Sequence, residues 1–135
     1  MAGRPGLEVL KFMFDSNCIF CKIIQKQIPS NIIKETEHVL VIKDLHPKAP
    51  YHYLIMPKKH IENVGMLQDA DINLIVDMVF VARDLSKNIA LENKLSQPIS
   101  FNLISNNGAA AGQSVFHLHW HFLAGKDLYK DGLKL

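Results

Sequence analysis

His117, His119 and His121 occupy alternate positions within GQSVFHLHWHFLAG, residues 112–125. Side chains of a strand alternate between its faces, so the spacing predicts three imidazoles on one side and Leu118, Trp120 and Phe122 on the other. Seven histidines occur in the whole chain, and three of them lie within these five residues. A solvated strand face is served equally well by Thr, Lys or Glu, whereas imidazole adds a group that titrates near neutrality. Two chemistries remain open: the rings can ligate a metal, or they can act as nucleophile and proton donor on a phosphate. A metalloenzyme would draw a carboxylate ligand or base from nearby, and no Asp or Glu stands between Ser105 and Gly125. The preceding loop instead carries Asn106, Asn107, Gly108, Gly112, Gln113 and Ser114. Its backbone N–H groups, the Gln113 amide and the Ser114 hydroxyl suit an anion, which favours phosphate.

Cys18 and Cys21 form a CxxC pair. Alone it reads as half a zinc site, a redox pair or two small core residues, and two cysteines are too few for a disulfide scaffold. Asp44 precedes a Leu45-His46-Pro47 turn, and His52 opens an apolar segment.

The elements that must position these groups follow from periodicity. CIFCKIIQKQIPS suggests one or two helical turns from Cys18, ended at the Ile28-Pro29 step. Ile32 to Glu35, His38 to Leu45 and His52 to Met56 read as strands of an antiparallel meander, broken by Pro47-Lys48-Ala49-Pro50. Between Asp69 and Glu92, Ile72, Ile75, Met78, Val79, Ala82, Leu85 and Ile89 recur mostly at intervals of three and four, as on the buried face of a helix. Asp69 or Asp71 offers its N-cap. Ser100 to Ile104 and Val115 to Leu123 read as the last two strands. The class is α+β: an antiparallel sheet of about five strands covered by one long helix.

The 135 residues suffice for one domain, taking roughly 150 residues as a unit. We expect a flexible leader over 1–15 and a single domain over 16–135 that ends in a short tail. With 48% hydrophobic and 21% charged residues the chain is not of the disordered class. Its net charge of +2 supplies no stripe for nonspecific nucleic-acid binding. No apolar run approaches the roughly 20 residues of a membrane span, and no signal peptide is evident, so the expectation is a cytoplasmic protein with neither membrane nor direct nucleic-acid partners.

His117-Leu118-His119-Trp120-His121-Phe122-Leu123 resembles the His-φ-His-φ-His-φ-φ motif of the histidine triad (HIT) family. CIFCKIIQKQIPS, the Asp44-Leu45-His46-Pro47 turn, HYLIMPKKHI over 52–61 and NNGAAAGQSVFHLHWH are similar to its Hint branch, so the resemblance covers about residues 16–125. It implies a HIT-like fold, a homodimer, and an enzyme that transfers a nucleoside monophosphate onto its middle histidine before water removes it. The expected activity is hydrolysis of purine nucleoside phosphoramidates, AMP or GMP joined to an amine such as lysine. The alternatives are a dinucleoside polyphosphate hydrolase and a non-catalytic nucleotide- or metal-binding adaptor.

Carried onto this chain, the resemblance makes His119 the nucleophile and His121 a hydrogen-bond donor to a nonbridging phosphate oxygen. A backbone carbonyl near His117 and the ring of His52 orient the nucleophile, and Ser114 contacts the leaving side. Asp44 accepts the ribose hydroxyls, with Leu45 beside it. Asn106, Gly112 and Gln113 make phosphate or sugar contacts, and Ile19, Phe20, Ile23 and Ile42 form the slot for the base. Cys18, Cys21, His60 and His117 form a structural Zn²⁺ site, and no organic cofactor is implied. Trp120 is larger than the aliphatic residue usual at its position. The tail KDLYKDGLKL lacks the Trp-containing ending of animal Hint proteins, a segment that helps select the leaving group.

Overall fold

The computed structural model describes residues 14–133. Helix α1 spans Ile19–Ile24 and helix α2 spans Ile72–Glu92, while strands β1 to β5 span Ile32–Glu35, Val39–Lys43, Tyr51–Pro57, Phe101–Ser105 and Trp120–Ala124. The strands form one antiparallel sheet in the order β1-β2-β3-β5-β4, so β5 inserts between β3 and β4. Fold class and sheet agree with the expected α+β architecture. No helix among the described residues is long and apolar enough to cross a membrane.

Both faces of the sheet centre are covered. Val39 and Val41 of β2, Ile55 of β3 and Phe122 of β5 pack on Met78, Val81, Ala82, Leu85 and Ile89 of α2. Leu40, Ile42, Leu54 and Met56 point the other way, onto Cys18, Phe20, Cys21, Ile23 and Ile24 in and before α1. This double burial explains why β2 reads as the unbroken apolar run Val39-Leu40-Val41-Ile42 instead of an alternation. The register puts His121 opposite Leu54 and Ile104, and His52 opposite Leu123, so these side chains share the α1 face. Six-residue α1 covers only part of that face.

Several expected boundaries shift. Helix α1 stops at Ile24, with Gln25 as C-cap and Lys26 at φ 63°, before Pro29 is reached. The second strand is trimmed from 38–45 to Val39–Lys43. Asp71 precedes α2 but does not cap it through its side chain: its carboxylate accepts the Gln68 N–H at 2.9 Å and the Lys59 ammonium at 2.8 Å, bracing the 3-10 turn Asp69–Asp71. Ile72 and Val79, expected on the buried face of α2, are 66% and 47% exposed and join Val76 and Phe80 in a second, outward apolar stripe. Trp120 is accommodated half-buried against the cluster beneath α2. The leader expected over 1–15 lies outside the described residues except Phe14, which packs on the α1 cluster, and Asp15, whose N–H points to Cys21 Sγ at 3.4 Å.

Candidate active site

The largest departure from expectation concerns the histidine strand. Only Trp120–Ala124 pairs as β5, so His117 and His119 lie on irregular chain before it. There the Leu118 N–H donates to the Ile61 carbonyl at 2.6 Å instead of to a sheet partner. Freed from the ladder, the rings serve two centres instead of one imidazole face.

His117 is fully buried and belongs to the first. Its Nε2–H donates to the Pro57 carbonyl at 2.8 Å, which leaves the Nδ1 lone pair facing Cys18 Sγ at 3.4 Å, Cys21 Sγ at 3.5 Å and His60 Nδ1 at 3.2 Å. His60 Nδ1 lies 3.3 Å from Cys21 Sγ. All four donor atoms fall within 4.8 Å of one another. Tetrahedral bonds of about 2.1 Å to nitrogen and 2.3 Å to sulfur give ligand–ligand edges of about 3.4–3.8 Å. The donor set therefore fits Zn²⁺ in type and spacing, with Pro57 fixing the tautomer of His117 from behind. Burial pushes the Cys21 thiol up to about 12 and the His117 imidazole down to about 4. A cation in this position would reverse the penalty on the thiolate and match the neutral imidazole.

His119 and His121 form the second centre, their ring centroids 5.2 Å apart. His119 is 7% exposed, and its Nδ1–H donates to the His117 carbonyl at 2.7 Å, so the lone pair is on Nε2. Phe20 meets the His119 ring edge-to-face at 5.1 Å. The hydrogen bond of His52 goes to His121 and not to His119, the ring it was expected to orient: the two pair diagonally across the sheet, Nε2 to Nδ1 at 2.9 Å. Because His52 Nδ1 accepts the Lys48 N–H at 3.0 Å, its proton sits on Nε2 and is donated to His121. His121 in turn keeps its proton on Nε2. Asp44 Oδ2 lies 3.4 Å from His52 Nε2, and its Oδ1 accepts the His46 N–H at 2.7 Å.

Asp44, His52 and His121 also bring ligand-type atoms within 4.8 Å. The tautomer of His52 argues against a metal there, since the nitrogen facing the cluster carries the proton. Burial holds the His52 and His119 pKa values below the usual imidazole range, and burial together with His119 and His52 lowers that of His121 to about 4. Neutral imidazoles with directed tautomers result: a lone pair at His119 Nε2 and an N–H donor at His121 Nε2.

A cleft of about 540 Å³ opens at His121, lined also by Asp44, His52 and Asn106 among the expected residues, whereas buried His119 is not part of its lining. Lys48, Ile104, Leu123 and the tail residues Leu128, Asp131 and Leu133 also line it. The tail is the segment that the family resemblance ties to the choice of leaving group, whereas Lys48, Ile104 and Leu123 carried no assigned role; the signal for Lys48 is its place between Pro47 and Pro50, in a turn those prolines stiffen. A larger cleft of about 760 Å³, between residues 95–102 and 125–127, is lined by no histidine or cysteine.

The other expected residues separate. Ser114 and Ile19 line a second recess of about 320 Å³ with Cys18 and His60. Phe20, Ile23 and Ile42 are packed into the core, while Leu45 is 87% exposed beside Asp44. The Gly112 N–H donates to the Ala109 carbonyl and the Gln113 N–H to the Gly108 carbonyl, so both amides are engaged within the loop. Asn106 lines the cleft, with its Nδ2 bonded to the Ala111 carbonyl at 2.9 Å.

A family profile described as "Scavenger mRNA decapping enzyme C-term binding" matches residues 17–133. An uncharacterized HIT-like protein of Chlamydia trachomatis is 39% identical over 79% of this chain and 91% of its own length. The chain belongs to the histidine triad family. Among solved structures, a HIT family hydrolase from Clostridium thermocellum is 41% identical with a TM-score of 0.77, covering 90% of this chain and 98% of that one. A histidine triad protein from Clostridium difficile is 40% identical with a TM-score of 0.73, covering 85% and 96%. A histidine triad nucleotide-binding protein from Candida albicans is 35% identical with a TM-score of 0.71, covering 82% and 76%.

Proposed function

We propose that this HIT protein is a nucleotide-binding hydrolase of the Hint type that cleaves purine nucleoside phosphoramidates through a nucleotidyl-His119 intermediate. The observation that carries the reading is the 2.7 Å hydrogen bond from His119 Nδ1–H to the His117 carbonyl, which leaves Nε2 as a neutral nucleophile. Nε2 attacks the α-phosphorus and the P–N bond breaks, the departing amine taking a proton from solvent water. Water then cleaves the phosphoramidate to histidine, so one difficult displacement becomes two easier ones. His121 Nε2–H donates to a nonbridging oxygen and strengthens as charge gathers there. Asp44 and Leu45 take the ribose side, Asn106 the phosphate or sugar, and Ser114 the leaving side. The likeness to the Clostridium thermocellum hydrolase and to the Candida albicans nucleotide-binding protein supports this class.

Cys18, Cys21, His60 and His117 hold one structural Zn²⁺ in this reading, tying α1, the β3–α2 connection and the chain before β5 together. The ion would fix the backbone that carries the His117 carbonyl. A homodimer is also proposed: the outward stripe Ile72, Val76, Val79 and Phe80 lies on α2, and the edge strand β4 exposes Phe101 and Leu103 on the same side of the sheet. Light scattering should give twice the 15.3 kDa chain mass, and a monomer at micromolar concentration would contradict it. We place the protein in the cytoplasm.

Lys48 on the cleft wall favours a second reading, a dinucleoside polyphosphate substrate whose leaving group is itself anionic. Parallel assays with tryptamine-adenosine phosphoramidate and a diadenosine polyphosphate discriminate the two. Turnover of neither, with AMP still bound, would replace both by an adaptor role.

A further inference from the structure

Asn107-Gly108 is the one Asn-Gly step in the chain, and it lies in the loop between β4 and β5. Such a step is chemically labile, because a following glycine offers no Cβ to hinder attack of its nitrogen on the asparagine side chain. A built Cβ at Gly108 meets nothing within 4 Å, so crowding does not account for the glycine. Its φ of +99° does. The turn thus requires a residue that leaves Asn107 exposed to its own backbone.

Gly108 is clamped from both sides of its residue. Its N–H donates to Gln113 Oε1 at 2.8 Å, and its carbonyl accepts the Gln113 N–H at 3.1 Å. Gln113 is 4% exposed, and its Nε2 donates to the Glu62 carbonyl at 2.7 Å and to the Val115 carbonyl at 3.0 Å, so the amide that accepts from Gly108 is itself fixed. The Asn107 side chain is held separately: Oδ1 accepts the Val64 N–H at 2.8 Å and Nδ2 reaches Ser105 Oγ at 3.1 Å.

We propose that Asn107-Gly108 is a latent deamidation site and that Gln113 keeps it closed. When the clamp opens, hydroxide removes the Gly108 amide proton and that nitrogen bonds to Asn107 Cγ. The Cγ–Nδ2 bond breaks and ammonia leaves, giving a succinimide. Water opens the ring at either carbonyl to aspartate or isoaspartate, the net change being gain of water and loss of ammonia. Position 107 acquires a negative charge. The isoaspartyl form also adds a methylene to the backbone of the loop that carries Asn106 into the cleft. Deamidation thereby becomes an ageing reaction of the cleft wall, triggered by local opening.

The test is incubation of the intact protein at alkaline pH and physiological temperature, beside Gln113→Met and Asn107→Gln. The readouts are the mass gain of about 1 Da and isoaspartate at position 107. Wild type should deamidate slowly when folded and rapidly in urea, and Gln113→Met should raise the folded-state rate about tenfold, the value of one lost hydrogen bond. Asn107→Gln should remove the signal. Should Gln113→Met not fold, hydrogen exchange on wild type decides: the Gly108 amide is expected to be protected although its loop faces solvent. A folded Gln113→Met that deamidates at the wild-type rate, or a Gly108 amide that exchanges freely, would overturn the proposal.

Discussion

The His117 carbonyl accepts the His119 Nδ1–H at 2.7 Å while the His117 ring faces Cys18, Cys21 and His60. One residue thus links the sulfur-rich cluster to the proposed nucleophile, through its Nδ1 on one side and its backbone on the other.

His119→Ala should lower phosphoramidate turnover by at least about a thousandfold while nucleotide affinity changes little, because the lost group acts in bond making. Quenched-flow mass spectrometry of wild type should find one AMP on His119. An adduct on another residue would sink the assignment.

His52 positions His121 and does not meet substrate in the proposed mechanism. His52→Ala should cost about 10- to 100-fold in kcat/KM, as loss of an orienting partner commonly does. His52→Gln, which still offers an N–H, should recover part of it. Nitrogen NMR shifts of His121 provide the readout that a purely structural role would leave unmoved: the Nε2-protonated tautomer should give way to a mixture in His52→Ala.

Acid should weaken the fold before it silences the site. His52, His119 and His121 all have native pKa values below the free imidazole value of 6.5, so between 6.5 and the native values the unfolded chain binds more protons. Their stabilising contribution is complete above 6.5 and is lost as pH falls toward about 4, where His121 titrates. The urea midpoint should drop across that window while kcat of the surviving native protein falls on a limb lying below 6.5. An acid limb centred at or above 6.5 would contradict the neutral-imidazole assignment.

Protein purified without chelator should contain about one zinc per chain. Cys18→Ser or Cys21→Ser should strip it, lower Tm and reduce activity together, since the ring proposed to bind metal belongs to the residue whose carbonyl accepts from His119. Occupancy below about a tenth, with Tm and activity untouched by chelation, would show two buried thiols and nothing more.

Gly125→Ala should destabilise by about 1–3 kcal/mol. Gly125 closes β5 at φ +89°, and an added Cβ would stand 3.1 Å from the Pro50 ring. Urea unfolding checks this, and a loss under about 0.5 kcal/mol would show that the turn relaxes.

Much of the chemistry was legible in the residues themselves. Three alternate histidines, a CxxC pair and a carboxylate before a His-Pro turn are local patterns, and local patterns report residue type and spacing. Helix α2 was legible for the same reason, since a periodicity of 3.6 is written along the chain, and strand β1 through its β-branched Ile pair set among polar residues. The direction of each ring was not. It depends on groups distant in sequence: the Pro57 carbonyl that turns His117 toward the cysteines, the Lys48 N–H that puts the His52 proton on Nε2, and the β3–β5 register that sets His52 against His121. Gln113 carried the same ambiguity. A loop glutamine suits an anion by type, yet this one is buried and bonded to the chain through both ends of its amide. The sequence by itself determined which chemistry is available. The tertiary structure decided which imidazole nitrogen keeps its proton, because a tautomer follows from the partner across the fold and backbone carbonyls and amides leave no signature in side-chain spacing.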